Sequence, residues 1–358
     1  MNLNICLFKK SYLKKQNLQT KKRMEKMESV KPDYKFETIQ DIIDTVLNYK
    51  NSRKRKRGEQ SCPVNEDIER LLYCLGPLRR LNNLIGMESI KRTVIDQILF
   101  YSQGLNTDEM MHTCLTGPPG VGKTTLGKIL AELYCSLGFL ETENFRVVTK
   151  ADLVAGYVGQ TAIKTRKLLN NSLGGVLFID EAYSLTCGST PDEPDTFGKE
   201  CIDTINQFLS ENTRNFIMIV AGYREDLDRS FFAFNKGLTR RFPWNYDIEK
   251  YSIMDLKNIF IHQVKSSKHW KFTPDLILNN YELLNEVFEK NKEVFTQNAG
   301  DTLILFDKIK ICHSRRVFGQ SFKQMIDLND IKLGMELLKS FKESKKDKKN
   351  QTPYGMYV

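Results

Sequence analysis

The chain has 358 residues, 41% of them apolar, and a formal net charge of +10 at neutral pH. That length allows about two domains with sizeable cores, and no apolar run approaches the ~18–20 residues of a membrane-spanning helix. The charge sits in two arms, with 16 Lys/Arg against 7 Asp/Glu in residues 1–60 and 6 Lys against 2 acids in 339–349; the remaining body is slightly acidic, which argues against a basic nucleic-acid groove on it. The eight cysteines form no C-x-x-C pair and no zinc spacing with histidine, so they read as reduced thiols in a cytosol-like, cytoplasmic setting.

Residues 1–30 are rich in Lys, Asn and Gln and read as a solvated arm. The apolar start Ile5–Phe8 is too short for a secretory core, and a mitochondrial presequence would not wait until Arg23 for its first arginine. Phe36, Ile39, Ile42, Ile43, Val46 and Leu47 fall at helical intervals and predict a helix over 36–49. The five cations Arg53-Lys54-Arg55-Lys56-Arg57 suit nuclear import or polyanion contact, or equally a solvated linker. A second helix is expected over roughly 66–75, with Asn65 as its cap.

From about residue 78 the pattern tightens. Ile90, Val94, Ile98 and Leu99 mark a helix after Leu84-Ile85-Gly86-Met87. Strands are expected at 111–116, short and apolar enough to be buried, at 145–149, and at 176–179 and 216–222, continuous apolar runs of the kind buried on both faces of a parallel sheet. Alternation with helical segments predicts a doubly wound α/β sheet, whose ligands lie beyond the carboxyl ends of the strands.

Between the first strand and a helix lies Gly117-Pro118-Pro119-Gly120-Val121-Gly122-Lys123-Thr124, followed by Thr125, matching the phosphate-loop pattern G-x-x-x-x-G-K-[ST]. The glycines let phosphates approach backbone N–H groups at a helix start. Lys123 would reach the β- and γ-phosphates of ATP, and Thr124 would offer a hydroxyl to Mg²⁺. The run Val176–Ile179 ends in Asp180 and Glu181. Asp180 would hold Mg²⁺ through water, and Glu181 would take the proton of the attacking water.

The stretch from Leu84 to about Asp247 resembles the AAA+ ATPases, most closely the CbxX/CfqX branch that includes red-type rubisco activase and stage V sporulation protein K. The resemblance rests on Leu-Ile-Gly at 84–86, Thr-Gly-Pro-Pro-Gly-Val-Gly-Lys-Thr-Thr at 116–125, and Ala-Asp-Leu-Val-Ala-Gly-Tyr-Val-Gly-Gln-Thr at 151–161. It continues through Phe-Ile-Asp-Glu-Ala-Tyr-Ser-Leu at 178–185 and Val-Ala-Gly-Tyr at 220–223. It implies that Ile85 and Gly86 contact adenine, and that Tyr157 is the pore-loop aromatic gripping a protein client inside a homo-oligomeric ring, a hexamer. It also places an arginine finger at Arg240 or Arg241, with Arg241 favoured because it directly precedes Phe242. In place of the polar sensor usual at the end of the fourth strand stands Tyr223-Arg224. The lid helix of relatives opens within Gly-Asn-Ala-Arg; here Asn298-Ala299-Gly300-Asp301 lacks the arginine, and Asp301 looks like a helix cap.

Ser252 and Asp255 resemble a capping box, and helices are expected from 252 and near 275–291, 301–318 and 328–342. The fold expected is therefore a P-loop NTPase α/β module with a small all-helical C-terminal lid. Its parts are a basic arm over 1–60, a nucleotide-binding domain over 61–248, a lid over 249–342 and a Lys-rich tail over 343–358. His262, His269 and His313 read as structural or exposed. The acidic loop Pro191–Asp195 lies where a second pore-facing loop would sit, or is simply solvated. The function expected is ATP-driven remodelling of a protein. The alternatives are an ATPase acting on nucleic acid through the basic arms, and a nucleotide-gated scaffold with weak hydrolysis.

Overall fold

The computed structural model describes residues 34–55, 65–105, 109–157, 159–186, 195–279, 281–321 and 323–350. Contacts group the chain into two units: one holds the described residues of 1–84, 88–116 and 124–247, the other those of 85–87, 117–123 and 248–358.

The first unit opens with four helices: α1 (Ile39–Arg55), α2 (Glu66–Tyr73), α3 (Leu75–Asn82) and α4 (Glu88–Ser102). The expected apolar stripe of α1 is buried at Ile39, Ile42, Ile43 and Val46, and the helix packs on α2, α3 and α4. It runs on into the cationic stretch, where Arg53 finds an ion-pair partner in Glu69 of α2. Lys56 and Arg57 lie outside the described residues, as do residues 1–33, the acidic loop up to Pro194 and the tail from 351. Asn65 caps α2, its side chain accepting from the N–H groups of Asp67 and Ile68, both at 3.1 Å.

The sheet follows. Its strands are β1 (Thr113–Thr116), β2 (Phe145–Val148), β3 (Val176–Ile179), β4 (Ile217–Gly222) and β5 (Trp244–Asp247), all parallel in the order β2-β3-β4-β1-β5. β3, β4 and β1 are buried along their whole length, whereas the edges β2 and β5 are partly exposed. That is the pattern expected of parallel strands covered on both faces. The intervening helices are α5 (Lys123–Ser136), α6 (Lys150–Leu153), α7 (Thr161–Asn170), α8 (Thr196–Glu211), α9 (Arg224–Leu227) and α10 (Lys236–Arg241). A core including Leu169, Leu177, Ile179, Ile205, Phe208, Met218 and Phe231 packs on one side. Asp195, the described end of the acidic loop, caps α8 through Gly198 N–H at 2.9 Å and pairs with Lys150 at 2.5 Å.

In the second unit, α11 (Ile253–Ser266) starts at the expected capping box: Ser252 Oγ accepts from Asp255 N–H at 3.1 Å, and Asp255 Oδ2 from Ser252 N–H at 3.2 Å. The region is not all-helical. β6 (Lys271–Phe272) pairs in parallel with β7 (Met325–Ile326), two-residue strands too short for alternation to announce them. The helix expected over 275–291 is two, α12 (Pro274–Leu278) and α13 (Leu283–Lys290), separated where Tyr281 takes φ 61°. α14 (Ala299–Arg316) and α15 (Leu328–Asn350) complete the unit around Leu256, Phe260, Phe288, Leu305, Ile309 and Leu338. His313, buried, meets Asp330 Oδ2 at 2.8 Å and the Lys323 carbonyl at 2.9 Å, while Arg316 donates to Asp330 at 2.7 Å. Burial opposes but does not outweigh these donors, which hold the Asp330 carboxyl down at about 2. Among the described residues no helix is long and apolar enough to cross a membrane.

Candidate active site

β1 hands the chain into the glycine loop, where Gly117, Gly120 and Gly122 take φ of 145°, 74° and 91°. At Gly120 a Cβ would stand 2.1 Å from the Gln297 carbonyl oxygen, so no other residue fits without moving backbone. α5 begins at Lys123, and Thr124 and Thr125 are exposed on its first turn. Lys123 Nζ donates to the carbonyls of Gly117 and Pro118 at 2.8 and 3.0 Å, which folds the ammonium across the loop. Ile85 and Gly86 belong to the same unit as the loop; Gly86 has φ 70°, and the Tyr251 ring lies 3.3 Å from where its Cβ would be. Glycines in left-handed conformations, an ammonium at a helix start and an adjacent hydroxyl fit a phosphate chain with its Mg²⁺.

The two carboxylates leave the same carboxyl edge of the sheet from which β1 enters the loop, with β4 between β1 and β3. Asp180 N–H still donates to Val148 O at 3.1 Å, which continues the β-ladder one residue beyond β3. Glu181 then turns sharply with φ 49°, and its N–H donates to Asp180 Oδ1 at 3.1 Å. Such a conformation is costly for a residue with a Cβ and concentrates at functional turns. A 3-10 turn over Ala182–Thr186 follows, and the Tyr183 hydroxyl hydrogen-bonds the Glu181 carboxylate. Burial, then that carboxylate, push the phenol up to about 12, so it stays a donor throughout the neutral range. Its ring lies 2.9 Å from where a Cβ on Gly222 would be, at the end of β4, and 6.1 Å from the ring of Tyr223. Where relatives carry a polar sensor, Tyr223 thus neighbours the tyrosine that bonds Glu181; Arg224 is 3.8 Å from Asp228.

The other expected residues stand elsewhere. Tyr157 is 74% exposed in a loop where a Cβ on Gly156 or Gly159 would meet nothing within 4 Å. On α10, Arg240 is exposed, whereas Arg241 is turned back onto its own chain: Nη1 donates to Gly237 O at 2.8 Å and Nη2 to Ser210 Oγ at 2.5 Å. His112, just before β1, accepts from Met218 N–H at 3.1 Å, and burial followed by the Arg241 charge bring it down to about 3. It is a neutral core residue.

Asp301 accepts from Gln297 N–H at 2.6 Å and pairs with Lys342 at 2.6 Å, but the N-cap position of α14 belongs to Asn298. Arg316 is occupied by Asp327 and Asp330. Tyr183, Tyr251 and Asn298 were not singled out in the sequence. Tyr183 and Asn298 had a signal in their places within Asp-Glu-Ala-Tyr and the stretch matched to Gly-Asn-Ala-Arg, whereas Tyr251 had none.

A family model described as "ATPase family associated with various cellular activities (AAA)" matches residues 113–242. The chain is 38% identical over 275 residues to the cfxQ-like protein R730 of Acanthamoeba polyphaga mimivirus, covering 75% of this chain and 66% of that protein. It is 34% identical over 238 residues to stage V sporulation protein K of Bacillus subtilis (strain 168), covering 60% and 72% respectively. In fold it is similar to the crystal structure of the FIGL-1 AAA domain in complex with ADP, with a TM-score of 0.51, 16% identity and coverage of 74% and 89%. From the glycine loop, the paired carboxylates and these relatives alike, the chain belongs to the AAA+ ATPases, in their CbxX/CfqX branch.

Proposed function

We propose that this chain hydrolyses Mg-ATP in a homo-oligomeric ring, a hexamer, and couples the reaction to remodelling of a protein client. The observation that carries the reading is Glu181, turned out of β3 at positive φ beside Asp180 and held by Tyr183. In this reading backbone amides of the loop and Lys123 bind the phosphates, while Ile85 and Gly86 meet adenine. Thr124 and Asp180 hold Mg²⁺, which supplies charge neutralisation for the transferring phosphoryl group. Glu181 accepts a proton from the attacking water, with ADP and phosphate as products.

A guanidinium from the neighbouring subunit completes charge stabilisation. Arg240 suits that role by its exposure, whereas the bonds of Arg241 to Gly237 and Ser210 suit it to stiffening the end of α10. Tyr157, exposed between small residues, offers a large contact area with little sequence preference, as pulling on a polypeptide requires.

The test is Glu181→Gln. Turnover should fall by about 10²-fold or more while ATP still binds, since general-base groups contribute on that scale. The ATP-loaded variant should retain a client that Tyr157→Ala releases. Undiminished turnover in Glu181→Gln would sink the assignment of the base.

A further inference from the structure

Three successive carbonyls of the phosphate loop are each taken by a donor from further along the chain, all within the second unit. Asn298 Nδ2 donates to Pro119 O at 3.0 Å, Ala299 N–H to Gly120 O at 3.1 Å, and the Tyr251 hydroxyl to Val121 O at 2.8 Å. No peptide bond in the described chain is cis. In a trans peptide the C=O and the following N–H point in opposite directions. Holding these carbonyls therefore turns the N–H groups of Gly120, Val121 and Gly122 to the opposite side of the loop. Those are consecutive amides of the kind that cradle a phosphate chain.

The donors are themselves locked together. Asn298 Oδ1 accepts from Tyr251 N–H at 3.2 Å, so one amide side chain grips both the loop and the start of the helical region. Asn298 is 3% exposed and sits at φ 49°, ψ −129°, a conformation that glycine adopts freely and other residues reach only under strain. An asparagine at an N-cap position ordinarily accepts an amide of its own helix; this one makes no such bond. The strained backbone and the buried side chain thus serve the loop, not the helix.

We propose that Asn298 and Tyr251 are positioning residues that preorganise the phosphate loop for a nucleoside di- or triphosphate, so that affinity depends on the helical region in the absence of a lid arginine. The inference rests on the reading of residues 117–124 as the nucleotide site. It also explains Gly120, whose Cβ would strike the Gln297 carbonyl just before the Asn298–Ala299 grip.

The experiment uses the full chain and two mild variants. Tyr251→Phe deletes the hydroxyl donor and keeps the ring against Gly86, while Asn298→Gly deletes the side chain and relieves the positive φ. Binding of a fluorescent ADP analogue, the KM and kcat for ATP, and the melting temperature without nucleotide are measured together. Each variant should weaken ADP binding and raise KM between about two- and tenfold, the net worth of one or two hydrogen bonds. The kcat at saturating ATP should stay near wild type, and Asn298→Gly should melt no lower than wild type. Wild-type affinity in both variants would overturn the proposal, and so would losses that merely follow a lowered melting temperature. If instead the wild type fails to bind the analogue, or Lys123→Ala binds it equally well, it is the nucleotide reading itself that fails.

Discussion

The glycine loop after β1 and the carboxylate turn after β3 leave the same edge of one sheet, yet they are held in opposite ways. The loop takes its shape from residues more than a hundred positions away: Tyr251, Asn298 and Ala299 hold its carbonyls. The turn takes its shape from its own sequence, with Glu181 bonded to Asp180 before it and to Tyr183 after it. A site built from distant parts responds to anything that loosens either part, whereas a turn held mainly by its own side chains responds chiefly to changes in them. Nucleotide affinity and catalytic rate should therefore be separable by mutation in this protein.

The largest effect should come from Gly120→Ala. The added methyl would stand 2.1 Å from a backbone oxygen at φ 74°, so the loop or residues 297–300 must move. Nucleotide binding, read by titration with labelled ADP, should be lost. Gly159→Ala, with a similar φ of 77° but open space around it, should bind normally and separates strain from collision.

Next comes Asp301→Asn. Its carboxylate is fully buried and paired with Lys342, and breaking such a pair costs about 3–5 kcal/mol. Denaturant unfolding should show the loss. Because Asp301 also takes the Gln297 N–H just ahead of the loop-gripping residues, KM for ATP should rise as well. Unchanged KM in a clearly destabilised variant would separate the helix start from the loop.

Tyr183→Phe tests the local side. The ring still fits over Gly222, but the hydrogen bond to Glu181 is gone, so kcat should drop about tenfold or more at unchanged KM, in line with about 1.5–3 kcal/mol for a bond to a charged group. A rise in KM instead would show that the two sites are not separable.

The smallest effects concern stability of the helical unit alone. Ser252→Ala removes the cap of α11 and should cost about 1 kcal/mol without altering kcat. Asp330, held down at about 2, stabilises this unit while ionised. That contribution is fully present above the unfolded-state carboxylate range near 4 and is lost as pH falls from about 4 towards 2. An acid titration followed by circular dichroism should show Asp330→Asn flattening that window.

The inner strands were legible because parallel strands buried on both faces are largely apolar: Val176–Ile179 coincides with β3, and the observed β1 and β4 lie within the expected spans, whereas the half-exposed edge strand β5 was not foreseen. Asn65 and Ser252 were legible as caps for the same local reason: a cap bonds amides two or three residues away. The β6–β7 pair was not, since two residues carry no period. The break at Tyr281 and the length of α1 were hidden as well, since α1 outruns its apolar stripe and meets Glu69 sixteen positions on through Arg53.

The motifs of the proposed active site follow from sequence alone, because phosphate and water chemistry demands particular groups at fixed short spacings: Gly117 to Thr124, and Asp180 beside Glu181. Which of two adjacent arginines is free, and what holds the loop's amides in line, only the tertiary structure decided. Arg241 is occupied by Ser210 and Gly237, and the loop by Asn298 and Tyr251. Hydrogen bonds between residues far apart in the chain leave no periodicity, so folding has to bring the partners together before their pairing can be read.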